Sequence, residues 1–176
     1  MYKNPKTVHK GRLFDVLSIE ADHPNGGVMQ REVVDHRGAV FIVPMLDHQT
    51  VILIRNRREV VEQTLWEIPA GTLEEGESPI FCAGRELVEE TGYEAKQITP
   101  LLDFYTSPGF CNEKLYGFVA KDLTYIGQNL DETEEIEVVP VAFAKALEMI
   151  KNQEIVDAKT IAALLYKFQQ DTLGSR

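Results

Sequence analysis

Cysteine, histidine and tryptophan are scarce in this chain, long apolar runs are missing, and positive charge is outnumbered. The 176 residues contain two cysteines, Cys82 and Cys111. Neither has the spacing of a zinc ligand pair, and two are too few for a disulfide framework. The four histidines, His9, His23, His36 and His48, are scattered beside turn residues and read as ordinary surface groups. No stretch approaches the roughly 20 apolar residues of a membrane helix, and the first residues are polar and lysine-bearing, so a cytoplasmic protein without a membrane partner is expected. Lys and Arg total 18 against 28 Asp and Glu, a net charge of −10. Without a basic patch such a chain repels nucleic acid as well as anionic lipid. Internal repeats, low-complexity segments and an interdomain linker are also missing.

What is present is an ordinary globular composition, 44% hydrophobic, enough for one domain with a small N-terminal appendage. Six of its 28 acidic residues lie between Gly71 and Tyr93. Ser78-Pro79 is an N-cap and N1 pair, and Gly92 suits the left-handed residue that ends a helix, so the spacing predicts a helix over 79–91. On that helix Glu86, Glu89 and Glu90 fall within about 100° of arc, beside an apolar arc containing Ile80, Phe81, Ala83, Leu87 and Val88. Carboxylates at this spacing repel one another unless something neutralises them. They are either a solvated acidic face or a cation site.

Residues 12–20 and 28–36 alternate apolar and polar side chains around Pro24-Asn25-Gly26-Gly27, which predicts a β-hairpin. The apolar runs 39–46 and 51–54 suit strands buried on both faces. Arg55-Asn56-Arg57-Arg58 then places three arginines at a strand end, as an exposed terminus or an anion clamp. Trp66 reads as core. Two strands are expected over 97–105 and 114–123, a polar loop over 128–135, and a last strand over 138–142. Helices over 143–152 and 158–170 follow, the second capped by Asp157 and packed over the sheet through Ile161, Leu164, Leu165 and Phe168.

The pattern Gly71, five residues, Glu77, seven residues, Arg85-Glu86, then Glu89-Glu90, Gly92 and a hydrophobic residue resembles the Nudix hydrolase signature at every fixed position. Tyr93 departs from the more usual aliphatic residue. The resemblance implies a Nudix-type α/β/α sandwich with a mixed sheet over 39–176, preceded by the β-hairpin extension over 1–38. It also implies Mg2+, or Mn2+, held by Glu86 and Glu90 with the carbonyl of Ala70, and Glu89 close by. This agrees with the general chemistry of magnesium, which is held by one or two carboxylates together with phosphate oxygens. Arg85 would brace the loop by pairing with Glu77.

Pro108, sixteen residues after Gly92, and the Ser107-Pro108-Gly109-Phe110 run resemble the ADP-ribose pyrophosphatase subgroup. That likeness implies hydrolysis of ADP-ribose to AMP and ribose 5-phosphate, with a homodimer formed through the N-terminal strands. It offers Arg31, Arg58, Glu67, Pro108 and Glu113 as substrate contacts. The general base would come from the acidic loop, as Glu134 or Glu132, with Glu134 also reaching the metal; Glu89 is the fallback. Another nucleotide sugar or nucleoside diphosphate derivative is the alternative substrate, and a non-catalytic ADP-ribose-binding module the alternative class.

Overall fold

The structure, a computed structural model, describes residues 2–130 and 135–174. Its core is built on β4 (Ala39–Pro44), whose six residues are all buried. Alternate side chains of an extended strand point to opposite faces. Accordingly Ala39, Phe41 and Val43 enter one apolar cluster and Val40 and Ile42 the other. Fully burying an aliphatic or aromatic side chain contributes about 1.5–3 kcal/mol, and Val40 to Val43 are each 0% exposed. An uninterrupted apolar run is what a strand covered on both faces requires.

β4 pairs in parallel with β9 (Lys114–Tyr125) and antiparallel with β7 (Ala70–Thr72), and β8 (Tyr93–Tyr105) extends the far edge, giving a mixed sheet in the order β7-β4-β9-β8. Helix α1 (Pro79–Thr91) covers one face through Cys82, Ala83 and Leu87. Helices α2 (Phe143–Lys151) and α3 (Ala158–Leu173) bring Ala146, Met149, Ala163 and Leu164 to the opposite cluster. A second sheet, β10-β5-β6, is antiparallel, with β5 (Thr50–Arg58) between β6 (Gln63–Glu67) and β10 (Ile136–Ala142). This is the expected α/β/α arrangement with a mixed sheet. None of the helices among the described residues is long and apolar enough to cross a membrane.

Several local expectations are corrected. The expected N-terminal hairpin is present as β2 (Asp15–Asp22) paired with β3 (Val28–Asp35), but β1 (Lys3–Lys10) adds to the free edge of β2 and makes the extension a three-stranded antiparallel sheet. Every residue of β1 is exposed, so no hydrophobic alternation announces it; backbone pairing alone makes it a strand. β5 runs on through the arginines to Arg58 because β6, also unforeseen, pairs with that end. Ser78 occupies the N-cap position in extended conformation but its side chain makes no capping bond, whereas Gly92 does adopt the left-handed φ of 75°. On α3, Leu165 and Phe168 are exposed while Lys167 is buried. The α1 arc is rotated from that expected: Ile80 and Phe81 face out, and Glu90 lies on the buried side at 3% exposure.

Candidate active site

Strand β7 hands the chain to the turn before α1, and Arg85 ties the two together. Its Nε and Nη2 donate to the two carboxylate oxygens of Glu77, each at 3.0 Å. Nη1 donates to Glu86 Oε1 and Glu89 Oε2, both at 2.8 Å, while Nη2 reaches the Thr72 carbonyl at 3.5 Å. One guanidinium thus offsets the repulsion among carboxylates that the sequence left open. Bidentate charge-assisted pairing of this kind fixes orientation as well as charge. The Arg85 hydrogen bonds hold the Glu77 carboxyl at about 2, against the opposing effect of burial. Cys82, enclosed beneath the turn, is pushed up to about 12, chiefly by burial. Arg85 is therefore a brace, as the sequence implied.

Glu86 and Glu90 lie one turn apart on α1 and both meet the start of β7. The Glu86 carboxylate is seated on Gly71 so closely that a Cβ there would stand 1.9 Å from Glu86 Cδ. Glu90 Oε2 accepts a 2.9 Å hydrogen bond from the Ala70 amide. These are hard oxygen donors converging on residues 70–71, a donor set suited to a divalent cation of the magnesium type. Among the described residues no three acidic, histidine or cysteine side chains already form a metal cage by themselves. Magnesium does not need one, since it commonly retains water and shares phosphate oxygens with its substrate. Glu86 and Glu90 are the residues that would hold it.

A cleft of about 530 Å³ opens beside this edge, lined by Ala70, Gly71, Arg58, Glu113, His36 and Lys159 among others, a size within the usual range for small-molecule sites. Arg58 and Glu113 are thereby brought together with the metal-ligand candidates. Glu113 accepts from Thr106 Oγ1 at 2.8 Å, and its other oxygen is 3.6 Å from His36 Nδ1. Glu67 does not line the cleft; it lies behind the wall at 1% exposure. There both its oxygens accept from Arg58, at 2.8 and 2.6 Å, and Oε2 also from Lys159 at 2.5 Å. Burial pushes the Glu67 carboxyl up, but the Arg58 bonds and the Lys159 charge outweigh it and hold it below the ordinary value.

Arg31 and Pro108 line a separate cleft of about 490 Å³, joined to the first through Tyr105, which borders both. Glu132 and Glu134 lie outside the described residues. The segments flanking them are tied to the end of α1 and to β5: Gln128 Nε2 donates to the Glu90 carbonyl at 2.6 Å, the Asn129 amide to the Glu89 carbonyl at 3.1 Å, and the Arg57 amide to the Glu135 carbonyl at 3.4 Å.

Sequence reasoning missed two residues of the cleft. His36 was expected on the surface, yet its side chain is 8% exposed and its Nδ1 accepts from the Gly38 amide at 3.0 Å. Its neighbourhood to Glu113 depends on the 106–113 loop folding back onto β3, where the Val34 amide bonds the Phe110 carbonyl. Lys159 was passed over because nothing local distinguishes it from any lysine in a first helical turn. The Asp157 cap gave the only signal, by placing the helix start.

A carboxylate-bearing helix, its arginine brace and an adjoining cleft are the arrangement that the resemblance to the Nudix hydrolases implied, and they mark the chain as a hydrolase of that class. The NUDIX domain family model matches residues 35–164, and the chain belongs to that family; it is a Nudix hydrolase. It is 41% identical to an ADP-ribose pyrophosphatase of Bacillus subtilis (strain 168), over 96% of this chain and 92% of that protein. It is 38% identical to a methanol dehydrogenase activator of Bacillus methanolicus, over 94% of this chain and 91% of that one. A solved structure described as an ADP compounds hydrolase superposes with a TM-score of 0.84 at 29% identity, covering 99% of this chain and 95% of that one.

Proposed function

We propose that this protein hydrolyses the diphosphate of ADP-ribose to AMP and ribose 5-phosphate, using Mg2+, or Mn2+, held by Glu86 and Glu90 with the Ala70 carbonyl and Glu89 close by. The observation that carries this reading is that residues 70–71, on which Glu86 and Glu90 both converge, also form one wall of the cleft that Arg58 and Glu113 line. The names of the ADP-ribose pyrophosphatase and ADP compounds hydrolase relatives support the choice of substrate. When bound, the cation offsets charge on the phosphoryl group. Arg58 takes a phosphate through the N–H groups not engaged by Glu67, and Glu113 accepts from ribose hydroxyls. Arg31 and Pro108 shape the neighbouring cleft for the other half of the substrate.

Glu134 or Glu132 takes the proton of the attacking water, and Glu134 also approaches the metal. Support comes from the N-terminal flank of that loop, where Gln128 and Asn129 hydrogen-bond the carbonyls of Glu90 and Glu89. A positioned carboxylate base contributes about 10²–10⁴-fold. Gln at the operative position should therefore lower single-turnover rates at least about a hundredfold with little change in affinity, while Glu135→Gln is nearly silent. Equal, small effects at all three positions would move the base to Glu89.

The extension over 1–38 is a dimerisation element and 39–176 the catalytic domain, in a cytoplasmic homodimer. Val8 and Val28 on the N-terminal sheet, and Leu13 in the connection between β1 and β2, are each more than half exposed, and a second subunit would cover them. A monomer by sedimentation at micromolar concentration would overturn this. Product analysis on a panel of ADP-ribose, nucleotide sugars and dinucleotides tests the function. Release of AMP and ribose 5-phosphate at the highest kcat/KM supports it, and preference for another nucleotide sugar replaces the substrate. Tight calorimetric binding without turnover would instead make the chain a binding module.

A further inference from the structure

Arg58 is the exposed end of an ionic chain that continues through Glu67 and Lys159 to Asp157. Arg58, which lines the cleft, gives Nε and one N–H of Nη2 to Glu67, leaving Nη1 and the other Nη2 N–H for a ligand. Its side chain is 42% exposed, whereas that of Glu67 is 1% exposed. Lys159, which lines the cleft as well, bonds the same carboxylate through Nζ and lies 3.1 Å from Asp157 Oδ2. Asp157 is fixed in turn by the Thr160 amide and hydroxyl, at 3.0 and 2.6 Å. The Thr160 hydroxyl also accepts from the Ile68 amide at 2.9 Å, locking the start of α3 to the end of β6.

Two cations and two carboxylates balance within this cluster, so it does not draw an anion by net charge. What it supplies is orientation. A lone carboxylate facing one half-exposed arginine can rotate, and the arginine with it. A carboxylate that is itself buried and is held by a nearly buried ammonium as well as by the guanidinium cannot turn without breaking a bond that little water is at hand to replace. We propose that Lys159 is a positioning residue for substrate binding: through buried Glu67 it fixes the free guanidinium edge of Arg58 toward the cleft, where those donors take a phosphate of the diphosphate. The inference rests on the proposed hydrolysis of a nucleoside diphosphate derivative. Holding a flexible side chain ready before binding removes part of the ordering cost of association, so the effect falls on binding more than on the chemical step.

The test compares wild type with Lys159→Met, Lys159→Arg, Arg58→Ala and the double variant Arg58→Ala/Lys159→Met, on the panel diphosphate that wild type turns over best. Lys159→Met should raise KM about tenfold with kcat within about threefold, and Lys159→Arg should recover most of the loss. In the Arg58→Ala background, Lys159→Met should add almost nothing, since two residues acting through one contact are not additive. An equal KM rise in both backgrounds, or a lower Tm with KM unchanged, would overturn the positioning role. A readout independent of turnover is the ¹H–¹⁵N signal of Arg58 Nε, expected to be sharp and slow to exchange in wild type and lost in Lys159→Met. If that signal persists in Lys159→Met the inference fails. A wild type that cleaves no diphosphate but shows the sharp signal and its loss would sink the proposed function alone.

Discussion

The Glu86 carboxylate rests directly on Gly71: a methyl group added to that glycine would stand 1.9 Å from Glu86 Cδ and 2.0 Å from Oε1. No φ penalty is involved, so the glycine is required for close approach rather than for backbone freedom. Gly71→Ala should push the Glu86 side chain away from residues 70–71 while leaving β7 and α1 in place, because a strand tolerates alanine at least as well as glycine. The expected outcome is a metal affinity weakened by about 10- to 100-fold, the range seen when the residues that orient ligands are disturbed. Titration calorimetry with Mg2+ or Mn2+ checks it, with circular dichroism unchanged.

Glu90 carries the opposite balance between stability and activity. It is 3% exposed and bonded to the Ala70 amide. Glutamine can accept that same bond, and a neutral amide is easier to bury than a carboxylate. Glu90→Gln should therefore keep or raise Tm while lowering kcat by about two orders of magnitude or more, as loss of a metal ligand would. A Glu90→Gln enzyme near wild-type rate at saturating magnesium would remove Glu90 from the metal site.

The Glu77 and Arg85 pair should show itself in acid. With the folded carboxyl at about 2 against an ordinary 4.5, the folded state favours the ionised form. Its contribution is complete above about pH 5 and is lost as pH falls through 4.5 toward 2. A shift of this size corresponds to about 3 kcal/mol before solvent screening, which lowers the contribution of a pair at the protein surface. Glu77→Gln should thus be less stable than wild type at neutral pH, and the difference should shrink as pH falls toward 3. Denaturant unfolding at several pH values measures it; a difference that stays constant would mean the pairing does not shift the carboxyl.

The two thiols should differ in reactivity. Cys82 is 0% exposed and its pKa is pushed up to about 12 by burial, whereas Cys111 is partly exposed. Only the thiolate is nucleophilic. Iodoacetamide at pH 8 should label Cys111 in the folded protein and both cysteines after denaturation, as mass spectrometry of tryptic peptides would show. Labelling of Cys82 at a similar rate would mean that the turn over α1 opens readily.

The sequence by itself determined the parts whose cause is local. The run from Ala39 to Pro44 became a strand buried on both faces because it has no polar side to turn outward. Pro79 and Gly92 bounded α1 because one ring fixes φ and one missing Cβ permits a left-handed residue. Glu86, Glu89 and Glu90 were legible as neighbours because helical geometry sets their directions, whereas the pairing of Glu77 with Arg85 was implied by the resemblance to the Nudix signature. The tertiary structure decided the rest. β1 has no pattern of its own and exists because β2 offers an edge; β6 forms because β5 does. Which side of α1 is buried followed from the sheet it lies on, and this put Glu90 inside. Glu67 and Lys159 meet across 92 residues, and His36 meets Glu113 across a folded-back loop. Contacts of that range leave no periodicity in the chain, because their partners are set by how whole elements pack and not by any neighbour in sequence.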